Sequence, residues 1–507
     1  MSAAPPPPPD DEAAAALLGR AKAGARLLTA RGVAMRLVSI ASNLLLIALV
    51  APADLGLVAV VRGVTGGLAY ATELGLAGAL VRRRVEPTRE EYAALAGLQG
   101  VILLAAIAAA WAFPSLALGG GSVGARWRPW MLATMATMVF VPLGTGARVR
   151  LERALDYRRL AFLDVTSVLV QNVGLLVAAF SGHFTEGVFI VHAFAYVYLY
   201  GLAAIWSPGP LPTLRARGLG TLLRDSATFS LAACVDIARG YATPVLVAMS
   251  FGLPVAGVWS FAERVGQVLK LAFEGYRRAG VPIAPRLAHD RVALRRLVSD
   301  MATGAARFTA PAAAGAIALL PVVAMISPKW APAVGTAQLW VFCLAVAGVA
   351  NAALEPVAVA IHGPRVTLTE QGVAAVATWA ALAVVATRGS HAVWVAVVPL
   401  HLASLTVLLA WTARDMRPRW TREMTRLVGA LAASAAVTTA LGIAGASPLV
   451  RVAGALAAAV VVLPPAPYLA MARRLWARLF AASAGGDAAA PADGATAAAT
   501  GPAARAA

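Results

Sequence analysis

Residues 53–83, ADLGLVAVVRGVTGGLAYATELGLAGALVRR, return 201 positions later as 254–284, PVAGVWSFAERVGQVLKLAFEGYRRAGVPIA, and this pair of stretches decides the fold. Gly56 falls on Gly257, Arg62 on Glu263 and Glu73 on Glu274. Each stretch is apolar over the roughly 20 residues that a helix needs to cross a hydrocarbon core. Each follows another apolar run across a very short turn and leads towards a basic segment.

The rest of the chain extends the same pattern. Of 507 residues, 60% are hydrophobic and 13% charged, with a mean hydropathy of +0.74. Soluble domains carry about 25% charged residues, so a water-soluble enzyme of ordinary type is excluded. Apolar runs at 32–51, 56–81, 92–113, 129–147, 160–181, 188–206, 227–250, 255–276, 304–326, 337–362, 368–387, 392–413, 423–445 and 452–472 predict fourteen spans. Helices are expected, because backbone groups in lipid must be satisfied within the segment and barrel strands would be shorter and alternating. The run 337–362 is long enough to be tilted, or broken near Pro356. The repeat offset corresponds to six spans, an even number, so the halves share one orientation, as parallel repeats do. The expected fold is an all-α polytopic membrane protein. Its segments are an N-lobe over 32–206, a C-lobe over 207–413 and two appended helices over 414–475.

Charge orients this bundle. The formal net charge is +19, from 43 Lys+Arg against 24 Asp+Glu. Thirty-one basic residues fall in the N-terminal segment and every second loop after it, five in the alternate loops (Arg126, Arg128, Lys329, Arg388 and Arg451), and seven within spans. Basic residues collect on the cytoplasmic side, which predicts an inner-membrane protein with both termini in the cytoplasm. The basic excess then needs no nucleic-acid partner. Residues 1–31 begin with Pro5–Pro9, Asp10, Asp11 and Glu12, which lacks the basic flank of a secretory signal, and continue as a short basic amphipathic stretch. The Ala/Gly/Pro tail over 476–507 has the composition of a disordered segment.

The chemistry of catalysis is missing from this pattern. Cys234 and Cys343 lie in apolar runs and are expected in the core, and the six histidines show no ligand spacing, so no metal or other cofactor is implied. No lysine follows a glycine, so there is no phosphate-binding Walker loop. The longest outer loop is about 114–128, too short to present the acid and base of a glycan-processing enzyme.

What remains is charge inside the membrane, which is costly and faces water or a partner. Arg307 and Arg426 lie near cytoplasmic span ends and are expected to snorkel. Arg62, Gly66, Ala69 and Glu73 share a helical face, and Glu263, Gln267, Lys270 and Glu274 occupy the same registers in the repeat, with Arg264 beside them. Asp236 and Arg239 are spaced i,i+3, and Arg36 and Asn43 lie in the first span. One reading is a hydrated cavity between spans 1, 2, 7 and 8 whose guanidinium groups take a phosphate-bearing cargo. The other is that Asp236–Arg239 and Lys270–Glu274 are self-satisfied ion pairs that hold the lobes in register. Glu73, Asp236, Glu263 and Glu274 are the candidates for a coupling cation. Asp164 reads equally as a cap or as a cavity residue.

Four segments carry a family resemblance: DLGLVAVVRGVTGGLAYATELGLAGALVRRRVEPTREEYAAL (54–95), RVRLERALDYRRLAFLDVTSVLV (148–170), GVPIAPRLAHDRVALRRLVSDM (280–301) and SPKWAPAVGTAQLW (327–340). In this order they resemble the oligosaccharide flippase (Wzx-like) branch of the multidrug/oligosaccharidyl-lipid/polysaccharide exporter superfamily, over about residues 20–475. The resemblance implies a two-lobed bundle that turns polyprenyl-diphosphate-linked oligosaccharides across the membrane by alternating access. It implies a cargo-binding role for Arg36, Arg62, Arg239 and Arg264, to which the stripe adds Gln267 and Lys270. The implied partners are the lipid-linked cargo, membrane lipids, and a polysaccharide polymerase or glycosyltransferases. Thr243 and Pro244 stand where similar proteins carry Asn or Asp, so no coupling residue is inherited there. The rival expectations are a cation-coupled drug exporter, a peptidoglycan-precursor flippase and a non-transporting scaffold of a glycan-assembly complex.

Overall fold

The computed structural model describes residues 31–463 apart from 33, 36–37, 74–76, 78–79, 82–85, 113–121, 214–218, 364, 389–391 and 416–421. The amphipathic stretch, the tail and Arg36 lie outside the described residues. The apolar runs become helices: α1 (Val38–Leu49), α2 (Pro52–Glu73), α3 (Arg89–Ala112), α4 (Ser122–Thr137), α5 (Phe140–Arg153), α6 (Tyr157–Phe180) and α7 (Phe184–Trp206). They continue with α8 (Leu219–Phe251), α9 (Leu253–Ile283), α10 (Arg291–Ile326), α11 (Ala331–His362), α12 (Arg365–Thr387), α13 (Val397–Asp415), α14 (Arg422–Ile443) and α15 (Pro448–Val462). No strand occurs among the described residues.

Among the described residues, ten helical segments are long and apolar enough to cross a membrane, with α4 and α5 joined as one of them. The helices α1 and α15 are apolar but short. The long helices α8 and α9 carry Asp236, Arg239, Glu263, Arg264 and Lys270. A count of fourteen spans requires all four of these, and it stays an expectation. Pro356 does not break α11, which is one helix from Ala331 to His362.

Lipid gives helices no hydrophobic reason to associate, so close approach depends on small residues. The buried face of α10 carries Ala302, Ala305, Ala306, Ala310, Ala313 and Ala314 against α11. The two appended helices α14 and α15 also pack on α10, and Glu423 of α14 pairs with Arg307 of α10 at 3.3 Å and with Arg426 at 3.1 Å. The two arginines expected to snorkel are therefore paired through one carboxylate.

The repeat has a structural counterpart. A Cβ on Gly56 would run into the Leu253 carbonyl, and a Cβ on Gly257 would run into the Pro52 carbonyl. Pro52 and Leu253 are themselves 201 residues apart, so the contact is reciprocal, as across a two-fold axis. The beginnings of α2 and α9 thus cross backbone to backbone. At the same end the Trp330 indole donates to the Ile47 carbonyl at 2.9 Å and the Lys329 ammonium to Leu49 at 3.2 Å. The arginine clusters gather at the opposite end: Arg153 on the Leu80 carbonyl (2.8 Å), Arg277 on Glu355 (3.3 Å), and Arg31 and Arg148 on Asp164 at 2.8 and 2.9 Å. Asp164 is therefore neither a cap nor a cavity residue but a carboxylate shared by two guanidiniums.

Candidate functional site

A cavity of about 490 Å³ opens between α1, α2, α6, α7, α8 and α9. Its position follows from α2, where the run RGVTGG places glycines at 63, 66 and 67 beneath Tyr241 of α8. A side chain at Gly66 would enter the Tyr241 ring, and one at Gly63 would lie 2.7 Å from the Tyr241 carbonyl. These glycines let α8 lie against the α2 backbone and bring the Tyr241 ring within 5.6 Å of the Tyr70 ring. Across the cavity α7 widens into a π turn at Val197–Gly201, with Tyr196 and Tyr200 stacked at 6.1 Å. Such a turn inserts one residue into the helix and re-aims its neighbours.

Arg62 and Arg264 both line this cavity. Arg264 donates to the Asn43 side-chain oxygen and, at 3.4 Å, to the Ser260 hydroxyl. Arg62 is exposed to the cavity, and neither arginine has a carboxylate partner among the described residues. The other polar lining is Ser39, Ser167, Gln171, Asn172, His192, Gln267 and the tyrosines, with no Asp or Glu among the described residues. Two guanidiniums on one cavity lining with no carboxylate among its described residues can receive an anion, and their planar forks fit phosphate oxygens.

A second cavity, about 300 Å³, lies between α8, α9, α11, α12 and α13. Here the charges are mixed. Arg239 bonds Asp236 at 2.8 Å and reaches the Leu400 carbonyl at 3.5 Å. Glu263, Lys270 and the Arg277–Glu355 pair share the lining. Glu370, only 3% exposed, accepts the Ser404 hydroxyl, and Ser404 accepts the Asn351 amide at 2.8 Å. The second Glu370 oxygen, the Asn351 and Gln371 oxygens and the His401 Nε2 are buried and unpartnered. An acceptor-rich pocket of this kind suits a proton or a cation, since a buried acceptor without a donor is costly. No group of three or more His, Cys, Asp or Glu among the described residues is arranged to hold a metal.

The stripe on α9 is thus divided between the cavities. Gln267 and Arg264 line the first with Arg62, whereas Glu263 and Lys270 line the second with Asp236 and Arg239. Glu73 and Glu274 lie in α2 and α9, and their side chains fall outside the described residues. Cys343 is buried as expected, but Cys234 is only half-buried. Nothing in the sequence marks the Glu370–Ser404–Asn351 chain, and His192 stands there as one of six scattered histidines without ligand spacing. An acid inside the apolar run 368–387 is itself a signal, although its place only five residues after Arg365 reads as a span edge.

The profile of a family described as polysaccharide biosynthesis protein matches residues 45–335. Among solved structures, the chain is similar to a lipid II flippase, MurJ, in an inward closed conformation. The TM-score is 0.66 at 11% identity, over 88% of this chain and 99% of the other. It is also similar to an inward-facing multidrug resistance transporter of the MATE family in the MOP superfamily. There the TM-score is 0.55 at 14% identity, over 75% of this chain and 94% of the other. At these identities the likeness is one of fold. No curated protein matches the chain at a comparable level.

Proposed function

We propose, from the premise that this chain belongs to the polysaccharide biosynthesis protein family, that it is a flippase and not an enzyme. Its cargo is an oligosaccharide linked to a polyprenyl diphosphate, carried across the cytoplasmic membrane for a surface polysaccharide of the exopolysaccharide or O-antigen kind. The observation that carries this reading is the first cavity, which Arg62 and Arg264 both line with no carboxylate among the described lining. The diphosphate seats between them, the sugars take the tyrosine-lined space, and the polyprenyl tail stays in lipid. A cationic drug would be repelled by the same two groups, which disfavours a drug exporter.

Residues 32–206 and 207–413 act as two lobes that rock about the α2–α8–α9 seam, with the termini in the cytoplasm and the α2–α9 crossing at the outer face. The second cavity is the coupling side, where Asp236, Glu263 and Glu370 are the acids and Arg239 and Lys270 their counter-charges. A polymerase and glycosyltransferases are the expected neighbours in the assembly route.

Reconstitution tests the reading. In proteoliposomes, a fluorescent polyprenyl-diphosphate oligosaccharide in the inner leaflet becomes accessible to a membrane-impermeant quencher only when the protein is present. No protein-dependent movement, together with export of lipophilic cations, would transfer the chain to the drug-exporter class. In the same assay Glu370→Gln abolishes the response to an imposed proton or sodium gradient. Gradient-driven transport that survives this change would remove Glu370 from the coupling site.

A further inference from the structure

His192 lies in the middle of α7, 2% exposed, on the wall of the first cavity. Its Nδ1 is 2.7 Å from the Val188 carbonyl, its own helix one turn back. A carbonyl can only accept, so Nδ1 carries the hydrogen and, in the neutral ring, the free lone pair is on Nε2. This is the tautomer that can take up a further proton without breaking its tether.

The surroundings decide when it does so. Arg62 from α2 and Arg264 from α9 line the same cavity as the ring. The other titratable groups in the lining are phenols: Tyr70 from α2, Tyr241 from α8, and Tyr196 and Tyr200 from α7 itself. α1 and α6 contribute Ser39, Asn43, Ser167, Gln171 and Asn172, and α4 packs Trp130 and Thr134 against Phe189, none of them ionisable. No carboxylate among the described lining stands near to hold a proton on the ring. An anion seated between the arginines adds a negative charge to this lining, and a nearby negative charge favours a proton on the ring.

We infer that His192 is a cargo-linked proton site, which takes a proton from water as the anionic headgroup seats between Arg62 and Arg264 and returns it when the headgroup leaves. The inference rests on the cavity reading above and adds to it a charge-matching group separate from the acids of the second cavity. Binding linkage is reciprocal, so the proton must strengthen headgroup binding by the same factor by which the headgroup strengthens proton binding.

The test uses the full chain in lipid nanodiscs with farnesyl diphosphate as the probe, at pH 6 and pH 8. Wild-type affinity rises by roughly 10-fold more on acidification than that of His192→Gln, a coupling of ordinary size. The probe's own titration is common to both proteins and cancels. His192→Asn places an amide N–H where Nδ1 donates to Val188. It keeps the tether and also loses the extra pH dependence, so misfolding does not account for the loss. Calorimetry in two buffers of different ionisation enthalpy shows more protons taken up per probe by wild type than by either variant. Identical pH profiles and proton uptake in all three proteins, with binding retained, overturn the assignment of His192 and leave the cavity reading in place. Binding that survives Arg62→Gln together with Arg264→Gln, or no binding by wild type, overturns the cavity reading and the inference with it.

Discussion

Glycan export falls on the order of 100-fold or more when Arg62 and Arg264 are both alanine, with the protein still in the membrane at wild-type amount. A hydrogen bond to a charged group contributes about 1.5–3 kcal/mol, and 1.4 kcal/mol is about a factor of ten in binding. Losing two guanidiniums that share one diphosphate therefore removes at least about two factors of ten. Neither arginine is held by a carboxylate among the described residues, so the double change breaks no ion pair. Removing Arg264 does leave the Asn43 oxygen without its donor, so membrane levels are measured alongside export. Lysine at both positions restores charge without the planar fork and recovers export in part. Arg307→Gln is the control: its side chain is half-exposed against Glu423 and lines neither cavity, and export continues. Normal export by the double alanine variant would end the cavity reading and favour a scaffold, for which intramembrane charge is dispensable.

The bundle is legible in the sequence, and its cavities are less so. Lipid forces long apolar runs into helices, so the helices are visible in one dimension. The repeat pairs Gly56 with Gly257, and the structure sets each glycine on the start of the other's helix. The placement of charge around a helix is less legible. Helical spacing puts Glu263, Gln267 and Lys270 on one stripe, yet α9 borders two cavities and the stripe straddles the boundary. Which side each residue faces depends on how α2, α8 and α11 pack around α9, and that is long-range information. Glu370, Ser404 and Asn351 come from three different helices, so no spacing could have joined them. His192 is a single histidine in an apolar run. Only the packing of α2 and α9 reveals that it shares a cavity with two arginines.

Gly56→Val and Gly257→Val are expected to give the same defect, loss of export with an outer end that no longer closes. The obstacle in each case is a backbone carbonyl, that of Leu253 for Gly56 and that of Pro52 for Gly257. A flexible side chain could swing away, but a helix start can yield only by moving the helix. Overpacking of this kind costs about 1–3 kcal/mol, enough to shift a two-state equilibrium by roughly one to two powers of ten without unfolding the protein. The cost falls on the state in which α2 and α9 cross, so the population moves towards the state in which they part. A cysteine at Ser39, which lines the first cavity, reports the change in a background lacking Cys234 and Cys343. A membrane-impermeant thiol reagent added outside labels it slowly when both glycines are present and roughly tenfold faster in either valine variant. Alanine gives the same direction at both sites, because the Cβ alone meets the carbonyl. The reciprocity is the sharper part of the prediction. A defect at only one of the two glycines would mean that the crossing is a local packing contact, and unchanged labelling with normal export at both would mean that this end of α2 and α9 does not gate the cavity.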